Sequence, residues 1–136
     1  MIKRYLAKII AKDSQGLQLI SAYCAGAKAK ITEIKYLPKN KIFLLSLKRP
    51  SKESDKNNFK INSICKFEFV DSVKSKNVNQ NNLNLVLELF TIDLLKNKEN
   101  YEINLIFSNN AYITLSTEII EATLEDQTKI YKWLKF

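Results

Sequence analysis

The stretch Phe59 to Val70, FKINSICKFEFV, decides the fold class. Phe59, Ile61, Cys65, Phe67 and Phe69 fall on one parity, while Lys60, Asn62, Lys66 and Glu68 fall on the other. A period of two puts the first set on one face of a β-strand and the second on its opposite face, so one face packs and one is solvated.

Working outward, the same period recurs. Ile34 and Tyr36 alternate with Glu33 and Lys35. Leu37-Pro38-Lys39-Asn40-Lys41 supplies a turn, because proline fixes φ and asparagine tolerates the left-handed region. Ile42 to Leu47 reads as a central strand, apolar on both faces except at Ser46. Lys48 to Asn58 (KRPSKESDKNN) reads as a polar loop in which Pro50 bars further pairing, and Ser72 to Asn82 as a second loop. Leu83, Leu85, Leu87 and Leu89 form the packed side of another strand. Tyr101 to Phe107 and Ala111 to Leu115 flank a tight Ser108-Asn109-Asn110-Ala111 turn, with Tyr112, Thr114 and Ser116 outward.

Two segments read as helices. Asp13 or Ser14 caps the first, whose Leu17, Ile20, Ser21, Cys24 and Ala27 lie on one face. The second begins at Ser116 or Thr117, with Ile119, Ile120, Thr123 and Leu124 apolar and Glu118, Glu121, Glu125 and Asp126 polar. Residues 2–10 have strand content. The expectation is therefore a single α+β domain over 1–136: an antiparallel β-rich sheet or partly open barrel of six to seven strands, with an N-terminal and a C-terminal helix. Strands followed by a closing helix are similar, at the level of fold, to pleckstrin-homology-like barrels.

The succession Leu37-Pro38-Lys39 then Phe43, the strand–turn–strand from Leu105 to Leu115, and Glu118 to Asp126 (EIIEATLED) resemble an uncharacterised alphaproteobacterial family, domain of unknown function 2948. The order and spacing of these segments carry the resemblance, which spans roughly residues 5 to 133. The chain departs from the family pattern at Asn109 and Asn110, where the family tends to have glycines, near Thr114 and Ile119, and at Pro50 to Glu53. The resemblance implies no activity, cofactor or catalytic residue.

Composition narrows the function classes. The chain has 136 residues, no histidine and two glycines, Gly16 and Gly26. Imidazole triads, histidine metal sites and glycine-rich phosphate loops therefore have nothing to be built from. Cys24 and Cys65 sit at apolar positions and read as reduced core thiols; Cys24 lacks a base to make it a nucleophile. The carboxylates Glu118, Glu121, Glu125 and Asp126 could hold a divalent cation or work as an acid–base pair, but they also read as a solvated helix face. No catalytic, cofactor-binding or metal residue is assigned. The apolar runs are too short to span a bilayer, and Lys8 and Lys12 interrupt any signal-peptide core, so a cytoplasmic location is expected.

The formal net charge is +8, from 20 lysines, two arginines and 14 acidic residues. It is unevenly spread: residues 1–76 carry net +11 and residues 77–136 net −3. The expectation is a small non-enzymatic interaction module with a lysine-rich docking surface. The partner is an acidic protein or a phosphate-bearing group, bound through Lys28, Lys35, Lys39, Lys41 and Lys48. The alternatives are a small enzyme using carboxylates and lysines, or a non-specific nucleic-acid binder with Tyr36 and Phe59 stacking on bases. No nucleic-acid-binding motif accompanies the charge, and arginine, the residue of bidentate base readout, is scarce. The aromatic tail Ile130 to Phe136 (IYKWLKF) reads as the end of the closing helix or as a contact surface. A sheet edge or this tail leaves monomer and homodimer both open.

Overall fold

The computed structural model describes residues 6–50 and 60–127. Among them are ten strands, one α-helix and one 3-10 turn: β1 (Lys8–Ala11), α1 (Ser14–Cys24), β2 (Lys28–Lys30), the turn Ile31–Glu33, β3 (Ile34–Leu37), β4 (Ile42–Pro50), β5 (Lys60–Phe67), β6 (Val70–Lys76), β7 (Val86–Lys96), β8 (Tyr101–Phe107), β9 (Tyr112–Thr117) and β10 (Ala122–Asp126). All strand pairs are antiparallel, in the order β1-β10-β5-β4-β2-β7-β8-β9-β6, with β3 also on β4.

The sheet turns a corner rather than lying flat. β5 pairs with β10, and their continuations β6 and β9 pair with each other, so two long chain segments bend together. Glu68 N–H donates to Glu121 O at 2.9 Å across the bend, which keeps the pair joined. Phe69 makes the turn with φ of 60°, a left-handed conformation that a bulky side chain adopts only under constraint. The bend brings the inner faces of both halves onto one core. Phe43, Leu45, Cys65, Phe67 and Leu124 from one half meet Leu87, Leu89, Ile103, Leu105, Phe107 and Leu115 from the other, all buried. Each such side chain contributes about 1.5–3 kcal/mol by leaving water.

Helix α1 packs against β7 and β1 from within this core. Asp13 caps it, its carboxylate accepting from Gly16 N–H at 2.8 Å, and Leu17, Ile20 and Cys24 are buried. Ser21 docks on a bulge in β7, where the register slips between Leu89 and Thr91. Just past the slip, where Ile92 stands opposite Leu105, Ile92 N–H donates to Ser21 Oγ at 2.9 Å. Both glycines are structural. A Cβ on Gly16 would stand 2.8 Å from Ala11 Cα, and Gly26 turns the chain with φ of 85°. Neither belongs to a phosphate loop.

Several expectations are corrected. The fold is mostly antiparallel sheet with one helix, but it has ten strands among the described residues, not six to seven. The segment expected to form the C-terminal helix is β10: Ile120, Ala122, Leu124 and Asp126 alternate inward with period two. The helix that closes the core therefore comes from between β1 and β2. β4 runs on through Lys48, Arg49 and Pro50, the last pairing with Lys60, so the first three residues of the expected loop are strand. Part of the second expected loop is strand β6. The tail 130–136, Phe59 and the loop 51–58 lie outside the described residues. No helix among the described residues is long and apolar enough to cross a membrane.

Candidate functional site

The sheet parts between β2 and β4. Lys28 pairs with Lys48, and the next pairing with β4 is Ile34 with Leu45. The chain advances six residues, from 28 to 34, while β4 advances three, so three residues are looped out as the 3-10 turn Ile31–Glu33. Ile31 N–H donates to Leu85 O at 2.9 Å, so the segment follows β7 as it leaves β4. Of two consecutive strand residues, one directs its N–H and C=O to each side. One of Ser46 and Leu47 thus faces the opening, where neither has a β2 or β3 partner.

A shallow cavity of about 260 Å³ sits over this parting, lined by Lys28, Lys30, Lys48, Asn62, Ile64 and Val86 among others. The register explains why these side chains converge. One row across the outer face runs Glu88, Lys28, Lys48, Asn62; the next runs Val86, Lys30, the opening, Ser46, Ile64. Lys28, Lys30 and Lys48 are all exposed, and none of the three is in a salt bridge among the described residues. Glu33 also lines the cavity, and Glu88 borders it on the register of Lys28. Like charges directly opposite across two strands destabilise a sheet, so Lys28 facing Lys48 is a cost that the fold carries.

Beneath the opening lies a buried ion pair. Arg49 Nε donates to Asp126 Oδ1 at 3.0 Å and Nη2 to Oδ2 at 2.7 Å, and both side chains are fully buried. Ser63 Oγ donates to Oδ1 at 2.6 Å and Ala7 N–H to Oδ2 at 2.7 Å. The guanidinium also lies 5.3 Å from the centroid of the Tyr23 ring. Burial works against the Asp126 carboxylate, but hydrogen bonds from Arg49, Ser63 and Ala7, with the guanidinium charge, hold its carboxyl below the usual range. Ser63 belongs to both places, lining the cavity and donating to Asp126, while Gln127, next in the chain, also lines the cavity and its N–H donates to Asn62 O at 2.7 Å. The ion pair fixes β4, β5 and β10 under the lysines.

A family model described as "Protein of unknown function (DUF2948)" matches residues 7–135. The chain belongs to this family. No curated protein sequence matches it. Among solved structures it is similar to an uncharacterized protein from Neisseria gonorrhoeae, at 15% identity and a TM-score of 0.44, over 85% of this chain and 96% of that one.

Of the five lysines expected to bind a partner, this DUF2948 chain brings Lys28 and Lys48 together. Lys35 lies on β3 opposite Leu44, on the same outer face but outside the cavity lining. Lys39 and Lys41 stand on the β3–β4 turn. Lys41 is engaged with Asp71 at 3.0 Å, whose hydrogen bond and charge raise the lysine's pKa. Lys30 stands in the same lysine-rich run as Lys28, but Asn62 and the backbone opening were not foreseen; no pattern in a three-residue strand announces them. Tyr36 is not an outward stacking platform, since its hydroxyl donates to Val70 O at 2.9 Å from a half-buried position.

The acidic set is not one helix face. Glu118 is exposed at the corner, Glu121 carries the corner hydrogen bond, Glu125 lies 3.7 Å from Lys8, and Asp126 is buried on Arg49. Cys24 and Cys65 are buried thiols in the core, and burial, with Cys24 nearby, pushes the Cys65 thiol well up.

Proposed function

We propose that this protein is a non-enzymatic binding module that docks an anionic partner on the outer face of its sheet, around the Lys28–Lys48 opening. The observation that supports the reading is the direct opposition of Lys28 and Lys48, with Lys30 one step along and, among the described residues, no salt bridge to any of the three, Glu88 lying opposite Lys28 on its other side. An unfavourable arrangement kept at a cavity is where local rules yield to function. Asp126, the described carboxylate with a shifted pKa, is tied by four donors and faces no cavity as a base, so nothing favours the enzymatic alternative. The nucleic-acid alternative loses Tyr36 as a stacking group.

The buried thiols support a reducing compartment, the cytoplasm. The pleckstrin-homology-like comparison stays a fold-level analogy, with the helix supplied from another part of the chain, and it adds no weight to the docking argument. The test is capture from a native lysate, split into nuclease-treated and untreated halves, with wild type and the Lys28→Glu/Lys48→Glu variant as baits. The reading predicts a protein retained in both halves by wild type and lost by the variant. Retention that nuclease abolishes, or that the variant preserves, contradicts it.

A further inference from the structure

We infer that the opening between β2 and β4 is a subsite for a phosphate monoester, carried on a phosphorylated side chain of the partner. The inference rests on the docking reading above and adds the chemistry of the group recognised. Three observations carry it. The cations are lysines only: Lys28 and Lys30 from β2 and Lys48 from the adjacent β4 converge, with no arginine among the described residues that line the cavity. A carboxylate is held best by the planar fork of arginine, whereas a cluster of ammonium point charges suits a dianionic tetrahedral group that accepts from several directions.

Polar groups of other kinds stand beside the ammoniums. Asn62 is directly opposite Lys48 and lines the cavity, as does Ser46, and the backbone of Ser46 or Leu47 faces the opening with no β2 or β3 partner. Phosphate oxygens accept several hydrogen bonds at once, so lysines and neutral donors serve the same group. Glu33, in the lining, and Glu88, at the border, oppose the anion in part, leaving three ammoniums against two carboxylates.

Size and floor select the carrier. At about 260 Å³ the cavity is below the usual range for drug-sized ligands and fits one functional group with a short carbon stem. Ile64 and Val86 give that stem an apolar surface beside the charges. The buried Arg49–Asp126 pair, through Ser63, holds the floor in place before any ligand arrives, and Gln127 N–H ties β10's end to Asn62 O beside it.

The test is a heteronuclear NMR titration of the full chain with three probes at low salt. These are a blocked tripeptide containing phosphoserine, the same tripeptide with glutamate, and inorganic phosphate. The expected result is saturable shifts at the Asn62 and Gln127 side-chain amides and the Ser46–Leu47 backbone. The phosphoserine peptide should bind about tenfold more tightly than either other probe, by the roughly twofold greater charge and the added stem contacts. Lys48→Ala should weaken it about tenfold, while Lys74→Ala, on β6 away from the opening, leaves it unchanged. Equal binding of the glutamate peptide, tighter binding of inorganic phosphate, or shifts elsewhere would overturn the inference. Should lysate capture depend on Lys28 and Lys48 while the phosphoserine peptide gives no shift, the docking reading survives and the phosphate assignment fails. If neither behaves as stated, both fail.

Discussion

Arg49 on β4 and Asp126 on β10, which flank β5 on opposite sides, meet through two parallel hydrogen bonds of 3.0 and 2.7 Å inside the core. β5 lies between them and contributes Ser63, which donates to the same carboxylate. Three neighbouring strands are therefore joined by side chains as well as by their backbone ladders. Removing one partner leaves a buried charge without its counter-ion. Arg49→Met and Asp126→Asn are each expected to lose about 3–5 kcal/mol in urea unfolding. Arg49→Lys is expected to lose a substantial part of that, because an ammonium cannot reproduce the fork. A loss under 1 kcal/mol for Asp126→Asn would show that the pair holds little.

The same pair sets an acid dependence. The Asp126 carboxyl titrates lower in the folded chain than its unfolded value of about 3.9. Its stabilisation is thus fully present above that pH and fades as pH falls toward the folded value. The stability gap between wild type and Asp126→Asn should be constant from pH 5 to 7 and narrow below about pH 4. A gap that widens on acidification has the wrong sign for this account.

Ser21 Oγ accepts from Ile92 N–H beside the bulge in β7. Ser21→Ala removes little volume but leaves Ile92 N–H without that acceptor in a buried strand. The expected cost is about 1–3 kcal/mol, measured by the same unfolding assay. Hydrogen exchange at Ile92 should accelerate more than at Leu105, which lies in the next strand.

At the β8–β9 hairpin, Asn109 and Asn110 hold φ of 61° and 57°. Both central residues are left-handed, the geometry in which asparagine followed by glycine is favoured. Asn110→Gly should raise stability by a few tenths of a kcal/mol, and Asn110→Val should lower it by about 1–2 kcal/mol. Asn77 Nδ2 donates to the backbone oxygen of Asn110, so neither change removes that bond.

These elements differ in how plainly the chain announces them. The helix was legible from Asp13 and the spacing of Leu17, Ile20 and Cys24, and β8 and β9 from strict alternation. β6 was hidden because an edge strand needs few inward apolar groups: only Val70 and Val73 among its seven residues mark its packed side. β10 was mistaken for helix because Ile119, Ile120, Thr123 and Leu124 also fit a helical spacing. Asp126, at an inward position, interrupted the alternation that would have corrected the reading. Arg49 did the same after Phe43, Leu45 and Leu47. Each residue makes sense inside the core only beside the other, 77 positions away in the chain. The lysine opening was legible only in part. Charge runs named Lys28 and Lys48, but their opposition depends on the register between β2 and β4, and the looped-out turn that opens the cavity depends on both strands together.

The central claim is that Lys28 and Lys48 are held opposite each other, at a cost in stability, for an anion. The most direct measurement is the thermal midpoint of wild type and Lys48→Glu at low salt, with and without inorganic phosphate. Relieving the opposed charges should stabilise the variant by about 0.2–1 kcal/mol, raising its midpoint by roughly 1–3 °C. Phosphate at about ten times its dissociation constant should stabilise wild type by about 1.4 kcal/mol, roughly 4 °C, and leave the variant unmoved. A variant that melts lower than wild type, or that phosphate stabilises equally, would contradict the account.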